Sequence, residues 1–472
     1  MSTAVVVGAG PNGLAAAAVL AQAGVDVTVL EATAEIGGGT RTSEAIVPGL
    51  LVDHCSAVHP IAVGSTVLHE LELEKRGLSW RWPEIDCAHP LDDGRAALLH
   101  RSVTETAAGL GADGKRWRTL FERTSEGYDA LAEDILQPLI RFPSHPIRLA
   151  RFGIPTALPA AVLARGFSTD EARALWGGVA AHAIRPLNRP FTSAIGLGIL
   201  TAGHKYGWAV AAGGSRAITD ALASVVTDHG GRIEVNVHVR AAADLPPADV
   251  VLFDVAPGAL ADILGDRLPG GVARAYRRFQ HGPGAFKVDF AVEGGVPWKH
   301  EAIGRAGTVH LGGTFAEIAA NEKTVHAGRM PERPFVLVAQ QHVADPSRCA
   351  GSVTPLWTYA HVPHGWTGDA TEAITAQIER FAPGFRDRIV GTAVRTPTEF
   401  ARYNPNFVGG DIVTGAKSTP QLLLGPRLTP HPYDTGVPGM YLCSAATPPG
   451  PGAHGMCGAL AAQRALRYLG QG

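Results

Sequence analysis

Three glycines near the start of the chain have the spacing of a dinucleotide-binding loop. Gly8, Gly10 and Gly13 follow a short apolar run and precede an alanine-rich stretch. Glycine at the first position allows a sharp turn, at the second it lets the backbone approach a pyrophosphate, and at the third it lets a helix lie close to a sheet. Phosphates would then lie at the positive end of that helix. The motif therefore predicts a dinucleotide site, with Pro11 and Asn12 in the same loop.

A carboxylate stands at the distance that ribose recognition requires. Glu31 ends the next apolar run, 23 residues after Gly8, and Ala32 follows it. At the tip of a second strand it can accept hydrogen bonds from both ribose hydroxyls and repel a 2′-phosphate. The sequence thus favours FAD or NAD over NADP. The alternative, an ordinary βαβ turn, explains the glycines but not the acid at this distance.

The C-terminal region contains a second cofactor-binding pattern. A predicted strand at 439–446 leads into a loop rich in proline and glycine and then into a helix at 459–469. Free backbone N–H groups at such a helix end suit a flavin oxygen that becomes anionic on reduction. His454 in this loop and His59 could exchange protons near neutral pH, so we predict both as catalytic. For each of them the alternative is an ordinary histidine without a catalytic role.

A polar segment at 402–411 is a further candidate for the site. It combines two amides, an arginine and an aspartate around turn-forming residues. The segment could form a polar wall of the active site or a loop that satisfies its own backbone. We predict the first arrangement, with Tyr403 and Asn406 as catalytic candidates.

Length, charge and cysteine content narrow the class of protein. The 472 residues exceed what one core usually supports, and 41 Lys and Arg against 43 Asp and Glu argue against a nucleic-acid-binding protein. Five cysteines without C-x-x-C spacing predict reduced thiols in a cytoplasm and no redox-active disulfide. We find no zinc-type spacing and expect no metal. The glycine motif begins too early for a signal peptide, and no apolar run is long enough to span a bilayer.

The order of predicted elements indicates an α/β protein with two domains. A discontinuous Rossmann-like FAD-binding domain is predicted over 1–75, 208–262 and 395–472. A substrate domain with a mixed sheet and a helical cap is predicted over 76–207 and 263–394. Alternation and turn signals predict a hairpin at 80–100, a mostly helical region at 113–207, strands at 232–239, 286–290, 335–343 and 353–361, and a helix at 371–381.

The segment 135–169 lacks acidic residues, while arginines recur among leucine, isoleucine, phenylalanine and proline. Such a surface could lie on an anionic membrane as a peripheral contact or line the mouth of a tunnel for an apolar substrate. The alternative is a helical cap whose arginines lie in solvent.

Several stretches together resemble the phytoene-desaturase-like flavoprotein family, which includes carotenoid desaturases, carotenoid isomerases and relatives of the amine-oxidase type. The matching stretches are VVVGAGPNGLAAAAVLAQAG with Glu31, EIGGGTRT followed by VDHCSAVHP, AGGSRAITDAL, ARYNPNFVGGDI and GMYLCSAATPPGPGAHGMCGALAAQRAL. The likeness covers both ends of the chain and the middle cofactor strands.

The resemblance implies roles for individual residues. Gly8, Gly10, Gly13 and Glu31 would hold the ADP half of FAD. Gly38 and Arg41 would lie near the pyrophosphate, with Gly39 and Thr40 between them, and the backbone of Val239 would contact the adenine. Ser56 and Ala57 would border the isoalloxazine. Ala445, Gly455 and Met456 would line its ribityl and pyrimidine side. Many amine-oxidase relatives carry arginine where Gly39 stands in this chain.

We therefore predict an FAD-dependent oxidoreductase that removes hydride from a C–C unit of a small apolar, isoprenoid-like substrate and passes electrons to oxygen or a quinone. A double-bond isomerase is a close variant. One alternative is an amine oxidase, which requires an aromatic cage and often a lysine near the flavin. The candidates for the cage are Trp208, Trp357, Tyr359 and Tyr403. Lys205 is either the lysine near the flavin or an ordinary surface lysine, and we favour the second. Another alternative is a non-catalytic flavin-binding partner protein.

Overall fold

A computed structural model of the protein describes residues 1–471. The strands are β1 (Thr3–Val7), β2 (Asp26–Leu30), β3 (Thr42–Ser43), β4 (Val52–Asp53), β5 (Trp80–Arg81), β6 (Ile85–Pro90), β7 (Ala96–Leu99), β8 (Val210–Ala211), β9 (Arg232–Glu234), β10 (Val250–Phe253), β11 (Gly284–Glu293), β12 (Ala306–Leu311), β13 (Val336–Ala339), β14 (Val353–Val362), β15 (Ile389–Arg395) and β16 (Met440–Leu442).

Helices connect and cover these strands. They are α1 (Pro11–Gln22), α2 (Pro60–Val63), α3 (Thr66–Glu70), α4 (Val103–Gly109), α5 (Gly114–Glu126), α6 (Tyr128–Ile135), α7 (Pro146–Ala157), α8 (Ala160–Ala164), α9 (Asp170–Ala180), α10 (Thr192–Tyr206), α11 (Arg216–Asp228), α12 (Pro257–Leu264), α13 (Gly270–Arg277), α14 (Phe315–His326), α15 (Gln341–Ala344), α16 (Thr371–Phe381), α17 (Pro397–Tyr403), α18 (Thr419–Leu424) and α19 (Met456–Tyr468). No helix within 1–471 is both long enough and apolar enough to cross a bilayer.

The first sheet is parallel and has the strand order β16-β10-β1-β2-β9. Its central strand β1 is buried on both faces, which explains its unbroken run of valines. The helices α1, α11 and α19 pack together beside this sheet. Strands from both ends of the chain therefore meet in one layer, and their carboxyl ends form one edge.

The second sheet is mixed and has the order β15-β11-β14-β13-β12-β6-β7, with only the β6 and β12 pair parallel. Residues of α16 pack on one face. The helices α9 and α10 contribute to a core on the other face, which also contains Trp357 and Tyr359 of β14. Successive side chains of β14 point to opposite faces, so Leu356 and Ala360 pack towards α16, whereas Trp357 and Tyr359 lie on the face of α9 and α10.

The α/β fold with a Rossmann-type sheet and a second mixed sheet is confirmed. The helix at 371–381 and the antiparallel pair β6–β7 also match their predicted positions. The strands of the parallel sheet lie in 3–30, 232–253 and 440–442, and those of the mixed sheet lie in 85–99 and 284–395.

Three predicted strands are shorter than expected. The strand predicted at 232–239 ends at Glu234, because the backbone N–H groups of Asn236 and Val237 bond to the loop after β2. The strand predicted at 335–343 ends at Ala339, because the side-chain amide of Gln340 donates to the carbonyls of Ile303 and Ala306 at the start of β12. The strand predicted at 439–446 covers only Met440–Leu442. Contacts with other segments override the local alternation in the first two cases.

A buried ion network joins β4 and the start of α11, beside the parallel sheet, to the connection between β13 and β14 of the mixed sheet. Arg348 donates from Nη1 to Oδ2 of Asp53 at 2.6 Å and from Nε to Oδ2 of Asp345 at 3.2 Å. Asp53 also accepts the backbone N–H of Ser215 at 2.8 Å. Arg348 and Asp53 are both 0% exposed, so this ion pair has no access to water.

Candidate active site

A cavity of about 240 Å³ lies at the carboxyl edge of the parallel sheet. It contacts the loop after β1, the tip of β2, the second glycine cluster and the loop after β16. Of the residues that the sequence assigned to cofactor binding, those that line this cavity are Gly8, Gly10, Pro11, Asn12, Glu31, Ala32, Gly38, Gly39, Thr40, Arg41, Ser56, Val239 and Ala445. Tyr403 and Asn406 line it as well.

The turn between β1 and α1 depends on two glycines. Gly8 has φ of +101°, a conformation that side chains other than glycine rarely adopt. A Cβ atom on Gly13 would lie 2.0 Å from the carbonyl oxygen of Gly8. Gly13 is not among the cavity-lining residues, so its contribution is the close approach of α1 to the turn.

Asp254 lies at the start of α1 and was missed by the sequence analysis. It follows β10, and its Oδ2 accepts the backbone N–H of Gly13 at 2.9 Å. A Cβ atom on Gly10 would lie 2.8 Å from the same oxygen, so Gly10 makes room for this carboxyl as well as for a ligand. Burial raises the pKa of Asp254 to about 7 against the effect of the Gly13 bond, and the charge of Glu31 adds to the rise.

FAD binding should therefore weaken as the pH rises through the pKa of Asp254, which is about 7. Below that pH the carboxyl is neutral and tolerates a pyrophosphate at the start of α1, whereas above it the carboxylate repels the phosphates. We expect the Kd for FAD to rise by up to about tenfold per pH unit above the pKa. Fluorescence titration of apoprotein with FAD at several pH values measures this slope.

The Asp254→Asn variant should bind FAD with little pH dependence, because the amide can still accept the Gly13 N–H but does not ionise. The matched control is Asp262→Asn, at an exposed position on α12, which should keep the slope of the unaltered protein. A flat pH profile in the unaltered protein would contradict this role of Asp254.

Glu31 and Arg41 form one buried group at the far end of the cavity. Glu31 accepts the Ala9 N–H at 2.8 Å and the Thr33 hydroxyl at 2.7 Å. Arg41 lies 3.5 Å from Glu31 and donates to the carbonyls of residues 35, 36 and 403. The guanidinium of Arg41 thus stabilises the loop after β2 near Glu31. Because these contacts use its charge and its donors, it is not a free cation at the predicted pyrophosphate position.

The residues of this cavity fit FAD. The Oδ1 atom of Asn12 and the Oγ atom of Ser444 are buried, line the cavity and have no hydrogen-bond partner among the described residues. Buried polar atoms are nearly always paired, so these two indicate a polar ligand. Glycine backbone at the start of α1 and a carboxylate at the tip of β2 suit its pyrophosphate and ribose.

A second cavity of about 410 Å³ adjoins the first. Both cavities are lined by Cys55, Ser56, Ile412, Thr414, Ala445 and 451–453. Ala57 lines the second cavity alone. Ser56, predicted at the isoalloxazine, and Ala445, predicted at the ribityl and pyrimidine side, therefore lie in the wall that the two cavities share, and Ala57 lies next to Ser56 in the second cavity.

Most of the wall of the second cavity is apolar or aromatic. Trp208, Trp357 and Tyr359 line it, and the rings of Trp357 and Tyr359 are 5.1 Å apart in an edge-to-face arrangement. These are three of the four residues suggested for an aromatic cage. The fourth, Tyr403, lines the cofactor cavity, where its hydroxyl donates to the Gly38 carbonyl at 2.5 Å.

His59 lines the second cavity in a defined tautomer. Its Nε2 lies 2.8 Å from the hydroxyl of Ser215, and that hydroxyl donates to the carbonyl of Ser56. Since the Ser215 proton is used, His59 donates from Nε2, and Nδ1 is the unprotonated nitrogen. Burial lowers the pKa of His59 to about 4. At neutral pH it is therefore an uncharged acceptor at the cavity wall.

His182 is a second cavity histidine that the sequence analysis missed. Its Nε2 lies 3.1 Å from Nε2 of His310, so one of the two rings donates to the other. Burial, with a further effect of His361, lowers the pKa of His182 to about 3. Its Nδ1 has no partner among the described residues. Nothing in the local sequence separates His182 from the other histidines, because His310 reaches it from a distant strand.

The predicted catalytic residue His454 bonds to the backbone at the start of α19. Nδ1 of His454 accepts the backbone N–H of Met456 at 3.1 Å. His454 lines the second cavity, but its unprotonated Nδ1 is used in capping α19, so the ring offers no free acceptor for a proton. Gly455 and Met456 were expected at the flavin, but neither lines either cavity, and the Met456 N–H is already used.

Asn406 holds the end of β10. Its amide accepts the Ala256 N–H at 2.7 Å and donates to the Asp254 carbonyl at 3.0 Å. Both ends of the amide therefore bind backbone, and Asn406 shapes the cavity wall rather than offering a free group to a substrate.

Lys205 matches the surface interpretation rather than a place near the flavin. Lys205 pairs with Asp129 at 2.9 Å and is partly exposed, away from both cavities. Lys287 of β11 is instead buried, pairs with Asp289, and has its ammonium 5.4 Å from the ring centre of Trp357. The local sequence does not single out Lys287, because it lies in β11, a strand predicted for the substrate domain and not for the cofactor site.

Cysteines and metal ligands add no further centre among the described residues. All five cysteines carry free thiols. No group of three or more His, Cys, Asp or Glu side chains within 1–471 is arranged to hold a metal ion.

Comparison with known proteins agrees with this site. Residues 6–68 match the family described as NAD(P)-binding Rossmann-like domain. The chain is 25% identical to rat pyridine nucleotide-disulfide oxidoreductase domain-containing protein 2, over 99% of this chain and 93% of the relative. It is 25% identical to the neurosporene-forming phytoene desaturase of Rhodobacter capsulatus, over 54% of this chain and 52% of that one.

Among solved structures, a redesigned putrescine oxidase superposes with a TM-score of 0.64 at 19% identity, covering 100% of this chain and 99% of the other. This likeness concerns the fold. Together with the sequence relatives and the cavity at the parallel sheet, it supports the predicted cofactor and class. The chain is an FAD-dependent oxidoreductase that is similar in sequence to a phytoene desaturase.

Proposed function

We propose that the protein, as an FAD-dependent oxidoreductase, desaturates a C–C unit of an apolar substrate by hydride transfer to the flavin. The observation that carries this proposal is the apolar cavity of about 410 Å³ that shares a wall with the cofactor cavity. A substrate in it would lie against the residues expected at the isoalloxazine. Bound FAD supplies the hydride acceptor, and oxygen or a quinone would then reoxidise it.

The protein's part in this reaction is positioning and proton handling. Ile195 and Ile199 of α10 and Leu337 of β13 give the substrate cavity apolar walls that favour a hydrocarbon and exclude water. Desaturation removes a hydride from one carbon and a proton from its neighbour, and the C=C bond forms between them. Nδ1 of His59 is uncharged and can take this proton, and Nδ1 of His182 can take it in the tautomer that donates from Nε2 to His310.

An anaerobic screen of the purified holoprotein tests the proposal. Bleaching of the visible flavin absorbance by isoprenoid or other apolar compounds, with a product two hydrogens lighter, is the expected result. His182→Gln should slow bleaching without lowering flavin content, and His431→Gln, at an exposed position, is the control. A product with a moved double bond and no net bleaching would identify the isomerase variant and overturn desaturation.

Amine oxidation is the second candidate, and the three aromatic residues at the cavity wall favour it. Aromatic faces attract cations, so they can hold an ammonium near the flavin. Bleaching by amines alone, with peroxide released on aeration, would support this candidate and overturn the first. Flavin that no compound bleaches would contradict both and favour a non-catalytic flavin-binding protein.

We further propose that the segment 135–169 binds an anionic lipid surface. Phe142, Ile147 and Ile154 are 92%, 68% and 72% exposed, and the exposed Arg148 and Arg151 lie on the same helix α7 as the two isoleucines. Exposed apolar residues mixed with cations complement anionic headgroups. Because α7 packs on α10, which lines the substrate cavity, lipid-dissolved substrates would be close to the site.

Binding to vesicles that contain anionic lipid should fall about thirtyfold when Arg148 and Arg151 are both changed to glutamine, since each charge contributes about 1 kcal/mol. Changing Phe142 and Ile154 to serine should weaken it independently of salt. Arg216→Gln, on the exposed surface of α11, is the control. Equal vesicle partition of all variants in sedimentation would favour a solvated helical cap.

A further inference from the structure

Lys417 differs in charge from every other residue around the substrate cavity. Among the described residues that line the second cavity, it is the only Asp, Glu, Lys or Arg. Its neighbours on the same loop, Val413 and Ala416, are apolar, as is Leu422 of α18. A single cation therefore faces an otherwise uncharged space.

The ammonium of Lys417 forms no direct ion pair with an acid among the described residues. Its only hydrogen bond within the described residues goes to the carbonyl of Val413 at 3.3 Å. The nearest acid, Asp411, lies beyond ion-pair distance and accepts the N–H groups of Gly282 at 2.8 Å and Gly415 at 2.7 Å instead. Two of the three N–H donors of Lys417 thus have no acceptor. Burial lowers the pKa of Lys417 to about 8, although the charge of Asp411 opposes this fall. At neutral pH the amine is therefore protonated in most molecules.

The backbone around Lys417 is held in place. Arg185 donates from Nη1 to the Lys417 carbonyl at 2.7 Å, and the Gln421 amide donates to the Ala416 carbonyl at 3.1 Å. Ile412 and Thr414, on the same loop, line both cavities. The loop therefore connects the ammonium to the wall where the substrate would meet the flavin.

We propose that Lys417 binds a carboxylate at one end of an otherwise apolar substrate. An unpaired cation in an apolar cavity is costly, and a charge-assisted hydrogen bond to a carboxylate removes that cost. A hydrocarbon would leave the ammonium unpaired, and an alkylammonium would be repelled by it. This inference rests on the proposed function, since it assigns the substrate class of the same cavity: apolar acids rather than neutral hydrocarbons or amines.

Ligands of equal chain length separate these classes. Decanoate, decanol and decylamine would be titrated into the oxidised holoprotein, and binding read from the change in the flavin spectrum. We expect decanoate to bind about tenfold or more tightly than decanol, and decylamine to bind most weakly. The preference for decanoate should decline as the pH rises above the pKa of Lys417, because the ammonium then loses its proton.

Two variants and a control locate the effect. Lys417→Met should equalise decanoate and decanol and abolish the pH dependence, whereas Lys417→Arg should keep the preference. Lys299→Met is the matched control, because Lys299 also donates to a backbone carbonyl but lies outside the cavity. If Lys417→Met does not fold, the pH dependence of decanoate binding in the unaltered protein still tests the proposal.

Equal affinity for decanoate and decanol in the unaltered protein would overturn this inference, as would an unchanged preference in Lys417→Met. These outcomes differ from failure of the proposed function. Carboxylate binding that depends on Lys417, without bleaching by any compound, would support the inference and contradict the oxidation. Bleaching by neutral hydrocarbons without any carboxylate preference would do the reverse.

Discussion

The Gly13→Ala variant should purify without flavin, whereas Gly258→Ala should be as yellow as the unaltered protein. The added Cβ at position 13 would lie 2.0 Å from the backbone carbonyl oxygen of Gly8, and neither backbone can move without shifting α1 off the parallel sheet. Overpacking of this kind costs about 1–3 kcal/mol or more, and it falls on the turn that receives the pyrophosphate. The ratio of flavin absorbance to protein absorbance measures the loss.

Gly258 makes this comparison well matched. It also lies in the first turn of a helix, α12, and a Cβ there meets no atom within 4 Å. Alanine at this position should be neutral or slightly stabilising, because it is the better helix former. A Gly13→Ala protein that binds FAD as tightly as Gly258→Ala would show that the turn does not hold the cofactor.

Arg348→Met should lower the free energy of unfolding by about 3–5 kcal/mol, the usual cost of removing one partner from a buried ion pair. The change leaves Asp53 and Asp345 without their shared cation in the contact between the two layers. Arg386→Met removes a surface pair with Glu372 and should cost less than about 1 kcal/mol. Urea unfolding of both variants gives the comparison.

The pH dependence of stability provides a second measurement. Burial alone would raise the pKa of Asp53, but Arg348 and the bonds from Thr42 and Ser215 outweigh it, so the pKa is lowered overall. The stability from Asp53 is therefore present above its unfolded pKa and is lost as the pH falls through the folded value. In Arg348→Met this acid-dependent part should shrink. An unchanged urea midpoint and an unchanged acid profile would refute a stabilising role for the network.

The parts of the site that sequence could predict are local. The glycine turn, the acid at the tip of β2 and the second glycine cluster each lie within one short stretch, so their geometry follows from spacing. Asp254 was missed because it reaches the start of α1 from a strand 241 residues away in sequence from Gly13. His182 was missed for the same reason, since its partner His310 belongs to the mixed sheet.

Residues were assigned to the wrong role where the same side chain in the same local sequence could serve either of two roles. A histidine in a glycine-rich loop can exchange protons or cap a helix, and only the bond from the Met456 N–H to His454 distinguishes these roles. Lysines raise the same difficulty. Lys205 lies near a predicted cofactor segment but pairs at the surface, whereas Lys287 and Lys417 reach the site from other segments.

The wall shared by the two cavities contains Ser56 from early in the chain and Ala445 from near its end. During synthesis the ribosome releases the first of these long before the second, so a growing polypeptide can present the glycine turn yet cannot enclose its prosthetic group. Loading must follow completion of β16 and the loop after it. Cells short of riboflavin should therefore accumulate full-length, colourless protein that can still be filled afterwards, rather than chains arrested halfway.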